Sequence, residues 1–255
     1  MNSIKFVSFN IRGDWSGDGV NSFIHRFGFI VEKILKEKPD VIGFQEVTDP
    51  IIAFMRRALP EYEFVGQGRD VDYKGEGLYT AIRKETFDIM GYETFWMSPT
   101  PYVSASRYEN QSGCPRICVV AHIMHKNTAR HMRVLNIHLD HISDEARVLG
   151  MGCVLDYVKD LNSKIKFPYV ILGDYNATPD SKVIELCDNF EDMVNTTKEI
   201  KDTFHGFGKR EKATIDYIYM SKDLADNVTS TDKWTDELNG IFLSDHYPIS
   251  TTVKL

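Results

Sequence analysis

Tyr169-Val170-Ile171-Leu172-Gly173-Asp174-Tyr175-Asn176 is a run of apolar strand-formers that stops at a glycine and then delivers a carboxylate and a carboxamide two positions apart. Alternation along an extended chain sends Asp174 and Asn176 from the strand end on the same face. Such a pair suits a hard cation and an anionic oxygen, which is what phosphoester cleavage requires. Gly-Asp-x-Asn also closes ordinary turns, so its reading depends on what the rest of the chain places beside it.

Other apolar strands are interrupted in the same way, by a polar residue at or near the C-terminal end. Phe6-Val7-Ser8-Phe9-Asn10-Ile11 carries Asn10, and Val41-Ile42-Gly43-Phe44-Gln45-Glu46-Val47 carries Gln45-Glu46. In Val134-Leu135-Asn136-Ile137-His138-Leu139-Asp140-His141, alternation puts Leu135, Ile137 and Leu139 on one face and Asn136 with His138 on the other. Asp216 breaks the aromatic and aliphatic run Thr214-Ile215-Asp216-Tyr217-Ile218-Tyr219, and Ser244-Asp245-His246-Tyr247-Pro248 precedes the last strand. Burial of such groups costs free energy unless something compensates it. Singly, each has a structural explanation: a bulge at Asn10, a loop anchor at Asp216, a satisfied core histidine at His138. Together they supply amides, carboxylates and two imidazoles, a set suited to a divalent metal and a phosphate.

Ten strands are expected: Ile4 to Ile11, Asp40 to Val47, Tyr62 to Val65, Leu78 to Arg83, Phe87 to Trp96, Ile117 to His125, Met132 to Leu139, Tyr169 to Leu172, Thr214 to Met220 and Ile249 to Lys254. They require at least one large sheet. Helical spacing runs through Phe23, Phe27, Ile30 and Ile34 up to Pro39, and through Ala146, Leu149, Cys153, Tyr157 and Leu161 behind a Ser143-Asp144-Glu145 start. A shorter helix fits Pro50 to Leu59, and another begins near Asp180. At 255 residues with 42% hydrophobic content and no linker-like composition, residues 1–255 read as one α/β domain.

Composition narrows the function. A formal charge of −7 disfavours a protein whose main task is to grip a long polyanion, although a nuclease stays open because carboxylates around a metal inflate the negative count. Lys209-Arg210-Glu211-Lys212 reads as a solvated basic turn. The four cysteines lack zinc spacing and a disulfide framework, which points to reduced thiols. No transmembrane segment is expected, and Met1-Asn2-Ser3 runs into Ile4-Lys5-Phe6-Val7 without a leader pattern. As it stands the chain reads as cytoplasmic; a cleaved leader would make it secreted or periplasmic.

With those motifs in this order, the sequence resembles the endonuclease/exonuclease/phosphatase superfamily of DNase-I-like metal-dependent phosphohydrolases, from Phe9-Asn10 to Ser244-Asp245-His246-Tyr247-Pro248. Phe9-Asn10-Ile11-Arg12, Gly68-Arg69-Asp70, Trp96-Met97-Ser98-Pro99-Thr100-Pro101 and Thr203-Phe204-His205-Gly206-Phe207 are similar to a bacterial branch of metal-dependent hydrolases. Arg12 stands where the apurinic endonucleases carry an Asp, which argues against DNA repair. The resemblance implies a four-layer α/β sandwich, two mixed β-sheets face to face between helices, with the site at one edge.

It also implies roles. Glu46, with Asn10 and Asp245, would hold Mg2+, or Mn2+ as a substitute. Asp174 would orient or deprotonate the attacking water, and Asn176 would donate to a phosphoryl oxygen. His246, held by Asp216, is the other candidate base, and the choice between it and Asp174 stays open. His138 would stabilise the pentacoordinate phosphorus or protonate the leaving group. Arg147 pairs either with the site or in a helix-surface salt bridge. The substrate loops would draw on Arg69, Glu76, Tyr79, His205 and Phe207, and on Tyr102, Arg107, Tyr108 and Arg116 between Trp96 and Arg116. The expected activity is a Mg2+-dependent phosphoesterase acting on a small or medium phosphorylated substrate. Hydrolysis of nucleic acid is the alternative, and a non-catalytic binding module on the same fold ranks below both.

Overall fold

Two parallel strand pairs, each closed by a helical crossover, organise the computed structural model, which describes residues 3–255. In chain order the first half comprises β1 (Ser3–Asn10), α1 (Phe23–Glu37), β2 (Val41–Val47), α2 (Asp49–Ala58), β3 (Tyr62–Gly68), β4 (Gly77–Arg83), β5 (Phe87–Trp96), β6 (Ile117–His125) and β7 (His131–His138). The second half comprises α3 (Asp144–Lys164), β8 (Tyr169–Asp174), α4 (Lys182–Asp188), β9 (Met193–Asn195), β10 (Asp216–Ser221), α5 (Lys222–Ala225), β11 (Val228–Lys233), β12 (Glu237–Leu238), β13 (Ile241–Phe242) and β14 (Ile249–Lys254).

One six-stranded sheet has the order β11-β14-β1-β2-β4-β3 and the other β5-β6-β7-β8-β10-β9, while β12 and β13 form a small ribbon. β1 and β2 are parallel in the first sheet, joined through α1; β7 and β8 are parallel in the second, joined through α3. Parallel neighbours need such a crossover because their ends lie on opposite edges. The consequence for function is direct. Asn10, Glu46, His138 and Asp174 all stand at or next to the C-terminal ends of these four strands, at the same edge. β10 runs antiparallel to β8 with Asp216 opposite Asp174, and β14 runs antiparallel to β1, so the chain entering each of these strands comes from that edge as well.

The layers follow from three apolar clusters. Phe6, Val41, Leu78, Val119, Val134, Val170, Leu172 and Ile218 fill the space between the sheets. Ile30, Ile34, Ile51, Met55 and Phe44 pack α1 and α2 on the outer face of the first sheet, and Met151, Val154, Ile171, Ile184 and Tyr219 pack α3 and α4 on the second. The fold is the four-layer α/β sandwich expected from the sequence. The ten strands and four helices read from periodicity are present with small shifts of their ends. Missed were the 3-10 turn Ser16–Asn21, β9, which is three residues long, the ribbon β12–β13, the short α5 and β11. Val228-Thr229-Ser230-Thr231-Asp232-Lys233 is a largely exposed edge strand, and without a buried face it shows no apolar alternation. All four cysteines are free, and among the described residues no helix is long and apolar enough to cross a membrane.

The second sheet lies close over Gly43 of β2, where a Cβ would stand 2.0 Å from Leu172 Cδ1 and 3.0 Å from Asn136 Cγ. Beside it the β2–β4 register slips between Phe44 and Val47. Asn136 reaches across from β7 to complete the bonding: its Nδ2 donates to Phe44 O at 3.1 Å and to Tyr79 O at 3.2 Å, while its Oδ1 accepts from Gln45 Nε2 at 2.8 Å. Asn136→Ala strips partners from two buried carbonyls and one amide at once, so we expect a loss of roughly 2–4 kcal/mol of unfolding free energy in urea titrations.

Candidate active site

Glu46 lies within the β2 bulge with a left-handed backbone (φ 61°), which swings its carboxylate out of the strand and towards the sheet edge. There its Oε1 accepts from Asn10 Nδ2 at 3.0 Å and its Oε2 from Gly13 N at 3.2 Å. The same Asn10 nitrogen donates to Asp174 Oδ2 at 3.0 Å, whereas Asn10 Oδ1 accepts from Arg12 N at 3.0 Å. Asn10 therefore ties a carboxylate of the first sheet to one of the second. Its amide nitrogen, rather than its oxygen, faces both carboxylates, so it positions Glu46 and Asp174.

Asp174 is fully buried and held from three sides. Its Oδ1 accepts from Asn176 N at 2.8 Å, its Oδ2 accepts from Asn10, and His138 Nε2 and His246 Nε2 stand 3.4 and 3.8 Å from Oδ2. Asn176 adopts φ 49° and donates from Nδ2 to Leu139 O at 3.1 Å, which leaves it one N–H beside the cleft. His246 Nδ1 lies 2.9 Å from Asp216 Oδ2, and Phe204 packs edge-on against the ring. The hydroxyl of Thr203 accepts from Ile215 N and Asp216 N, which fixes the start of β10 under that pair.

Electrostatics divide these groups. Burial alone would discharge His246, but Asp216 and Asp174 outweigh it and hold the imidazole well above its ordinary value. Burial raises Asp174 to about 7, against the opposing pull of His246. His138 is held well below the usual imidazole range by burial and then by Arg116 and Arg69, so it is neutral. Burial and the facing Glu46 raise Asp245, against the pull of His246 and Arg12. Two converging carboxylates, with Arg12 3.7 Å from Asp245 and 4.0 Å from Glu46, make a fitting cradle for a cation. Glu46, Glu76 and His138 also offer ligand atoms within 4.8 Å of one another, as do Asp174, Asp216 and His246.

These side chains open onto a cleft of about 570 Å³. A model of the Endonuclease/Exonuclease/phosphatase family matches residues 7–246, nearly the whole chain. This chain belongs to the endonuclease/exonuclease/phosphatase family. Among solved structures, an endonuclease/exonuclease/phosphatase from Bacteroides vulgatus is 26% identical, with each chain covered over 100% of its length and a TM-score of 0.92. A mannosyl-6-phosphatase of Bacteroides thetaiotaomicron is 25% identical, over 98% of this chain and 100% of that one, with a TM-score of 0.88. A further match is the 3'-5'-exoribonuclease subunit Ccr4 of the Kluyveromyces lactis CCR4-Not complex, 27% identical over 131 residues, which are 44% of this chain and 17% of that protein.

For this family member the remaining sequence expectations divide between the cleft and its surroundings. Arg69, Glu76, Arg116 and Phe207 line it. Arg147 does not: it pairs with Asp144 and donates to Asp140 O at 2.8 Å, the salt-bridge alternative. Arg107 also stands outside, donating to Ser112 O at 3.1 Å, and Tyr79, Tyr102 and Tyr108 are absent from the lining. The cleft gains residues that the sequence did not mark: Trp15, Asp18, Cys114 and His141, together with Lys209 and Arg210 from the turn expected to be merely solvated. Asp140 is structural, accepting from Ile142 N, Ser143 N and Ser112.

His205 lies beneath the cleft rather than in it. It stacks on Tyr247 with ring centroids 3.9 Å apart, and Nδ1 accepts from Gly208 N at 3.1 Å. Burial, then the charge of His246, push its pKa down from 6.5 to about 4. The unfolded chain takes up a proton here that the folded chain refuses, so this contribution to stability is whole above about pH 6.5 and is lost as pH falls towards 4. We expect His205→Gln to flatten the acid limb of stability, measured as a smaller loss of unfolding free energy between about pH 7 and about pH 5.

Proposed function

We propose that the chain is a divalent-metal-dependent phosphoesterase that hydrolyses a phosphate ester of a small polar molecule. The observation that carries this reading is the convergence of Glu46 and Asp245 with Asp174, His138 and His246 around one compact cleft. Similarity over nearly the full length to a mannosyl-6-phosphatase supports a phosphomonoester, and the modest cleft suits it better than a polymer. The Ccr4 match supports the runner-up, hydrolysis of a nucleic acid strand.

Glu46 and Asp245 would hold the ion, and their all-oxygen donor set favours Mg2+, with Mn2+ as a substitute. Bound there, it supplies charge neutralisation of the phosphate and of the departing oxygen. The other steps belong to side chains. Asp174, fixed by Asn10 and Asn176, aligns the attacking water and takes its proton as the oxygen bonds to phosphorus. His246, locked by Asp216, directs Nε2 at the same space and donates to a phosphoryl oxygen as charge builds. His138 and the free N–H of Asn176 serve the remaining oxygens. The bond from phosphorus to the alcohol oxygen breaks, and the alcohol leaves with a solvent proton.

Purified protein with Mg2+ or Mn2+ should release phosphate from sugar phosphates faster than it nicks plasmid or degrades oligonucleotides; the reverse order would favour the nuclease reading. Glu46→Ala should abolish hydrolysis and weaken Mn2+ binding by calorimetry with the thermal midpoint retained. Undiminished activity at matched metal would sink the assignment. For His246→Ala we expect a loss of about a thousandfold in kcat, and a loss below tenfold would remove it from the chemistry.

A further inference from the structure

Charges in the cleft are unevenly matched. Arg12 is held by Asp18 at 3.1 and 3.2 Å and Arg69 by Glu76 at 2.7 Å, while Glu46, Asp174 and Asp245 belong to the ester-cleaving end. Arg116, Lys209 and Arg210 line the same cleft without a dedicated carboxylate. Arg116 is the unusual one, because it is only 5% exposed. Its Nη2 donates to His141 Nδ1 at 2.9 Å, and its Nε and Nη1 have no partner. The nearest acid, Asp140 at 3.9 Å, already serves Ser112, Ile142 N and Ser143 N. A buried guanidinium with two unmade donors is costly to keep unless a ligand completes it.

Accepting from Arg116 leaves His141 with its proton on Nε2, at an exposed position in the cleft lining. A forked cation and an adjacent N–H donor match the planar or tetrahedral oxygens of an anion. A hydroxyl would satisfy the donors and leave the charge unmatched. The scissile phosphate already has its own partners in His138, His246, the free N–H of Asn176 and the cation that Glu46 and Asp245 would hold. We propose that Arg116 and His141, with Lys209 and Arg210 in the same cleft, receive a second anionic group, a carboxylate or a phosphate, so that the substrate is a small molecule bearing an anionic substituent besides the ester that is cleaved. This rests on the phosphoesterase reading.

Two substrate pairs separate the possibilities: fructose 6-phosphate against fructose 1,6-bisphosphate for a second phosphate, and glucose 6-phosphate against 6-phosphogluconate for a carboxylate. In at least one pair the doubly anionic member should show a kcat/KM at least about tenfold higher, expressed through KM. Arg116→Gln should cost that member at least about tenfold more than its partner. Because Arg116 is buried, His141→Gln at an exposed position serves as the second variant and should narrow the preference in the same direction. Equal kcat/KM within both pairs would overturn the proposal. So would an equal loss for both members of a pair in Arg116→Gln, since Arg116 would then hold the scissile phosphate. With EDTA present, thermal shifts read binding of the same compounds without turnover. A larger shift from the doubly anionic member, abolished by Arg116→Gln, would support the subsite even if no ester were hydrolysed, in which case the phosphoesterase reading alone would fall. Absence of discrimination in both shifts and kinetics would overturn the subsite.

Discussion

The amide of Asn136 is the contact on which the site depends. It crosses from one sheet to the other, donating to the backbone carbonyls Phe44 O and Tyr79 O beside the slip of β2 against β4 and accepting from the Gln45 side chain. Without a polar group from the facing sheet, that slip would leave buried backbone unpaired, and a regular strand would be favoured. A regular β2 would keep Glu46 in the pleat. The bulge is what turns it left-handed and brings its carboxylate to Asn10. Gly43 is the companion requirement, since any side chain there would hold Leu172 and Asn136 away and open the distance that the amide spans.

From that fixed point the charges organise themselves around shared donors. Asn10 Nδ2 serves Glu46 and Asp174 together, so the separation between the two sheets' carboxylates is set by one amide group. Asp216 holds His246 from the other side. A buried imidazolium between two carboxylates survives because each charge has an opposite one within hydrogen-bonding or ion-pairing distance. The groups stand at a sheet edge, where strand ends leave room for solvent and ligand; deeper between the sheets Asn136 and Gln45 pair with each other amid the apolar residues of the interlayer core.

Much of this was legible in the chain because polar residues in apolar strands are conspicuous. Asn10, Glu46, His138, Asp174 and Asp216 each break an otherwise apolar pattern, His246 stands just before the last strand, and all reach the same edge. Pattern alone could not separate their duties. Asn136 and His138 share a face of β7, yet one clamps the sheets and the other lines the cleft, because the facing partner is the bulged β2 in one case and open space in the other. Arg147 and Arg107 carried the right chemistry at plausible positions and found nearer partners. Lys209 and Arg210 stood out only as a basic turn that reads as solvated, His141 only as the polar end of a strand motif, and β11 shows no apolar alternation because an exposed edge strand has no buried face.

An acidic protein that collects five basic side chains in one cleft has spent them locally against its overall charge. Two of the five are neutralised in place by Asp18 and Glu76, which fixes their direction as much as their charge. Arg116, Lys209 and Arg210 offer positive charge to a small anion in a lining that also carries Asp18, Glu46, Glu76, Asp174 and Asp245, while the net charge of −7 disfavours long polyanions. The reacting end is built from strand termini common to the architecture, and under the proposal made above the loops around Arg116, Lys209 and Arg210 set what else the substrate must carry.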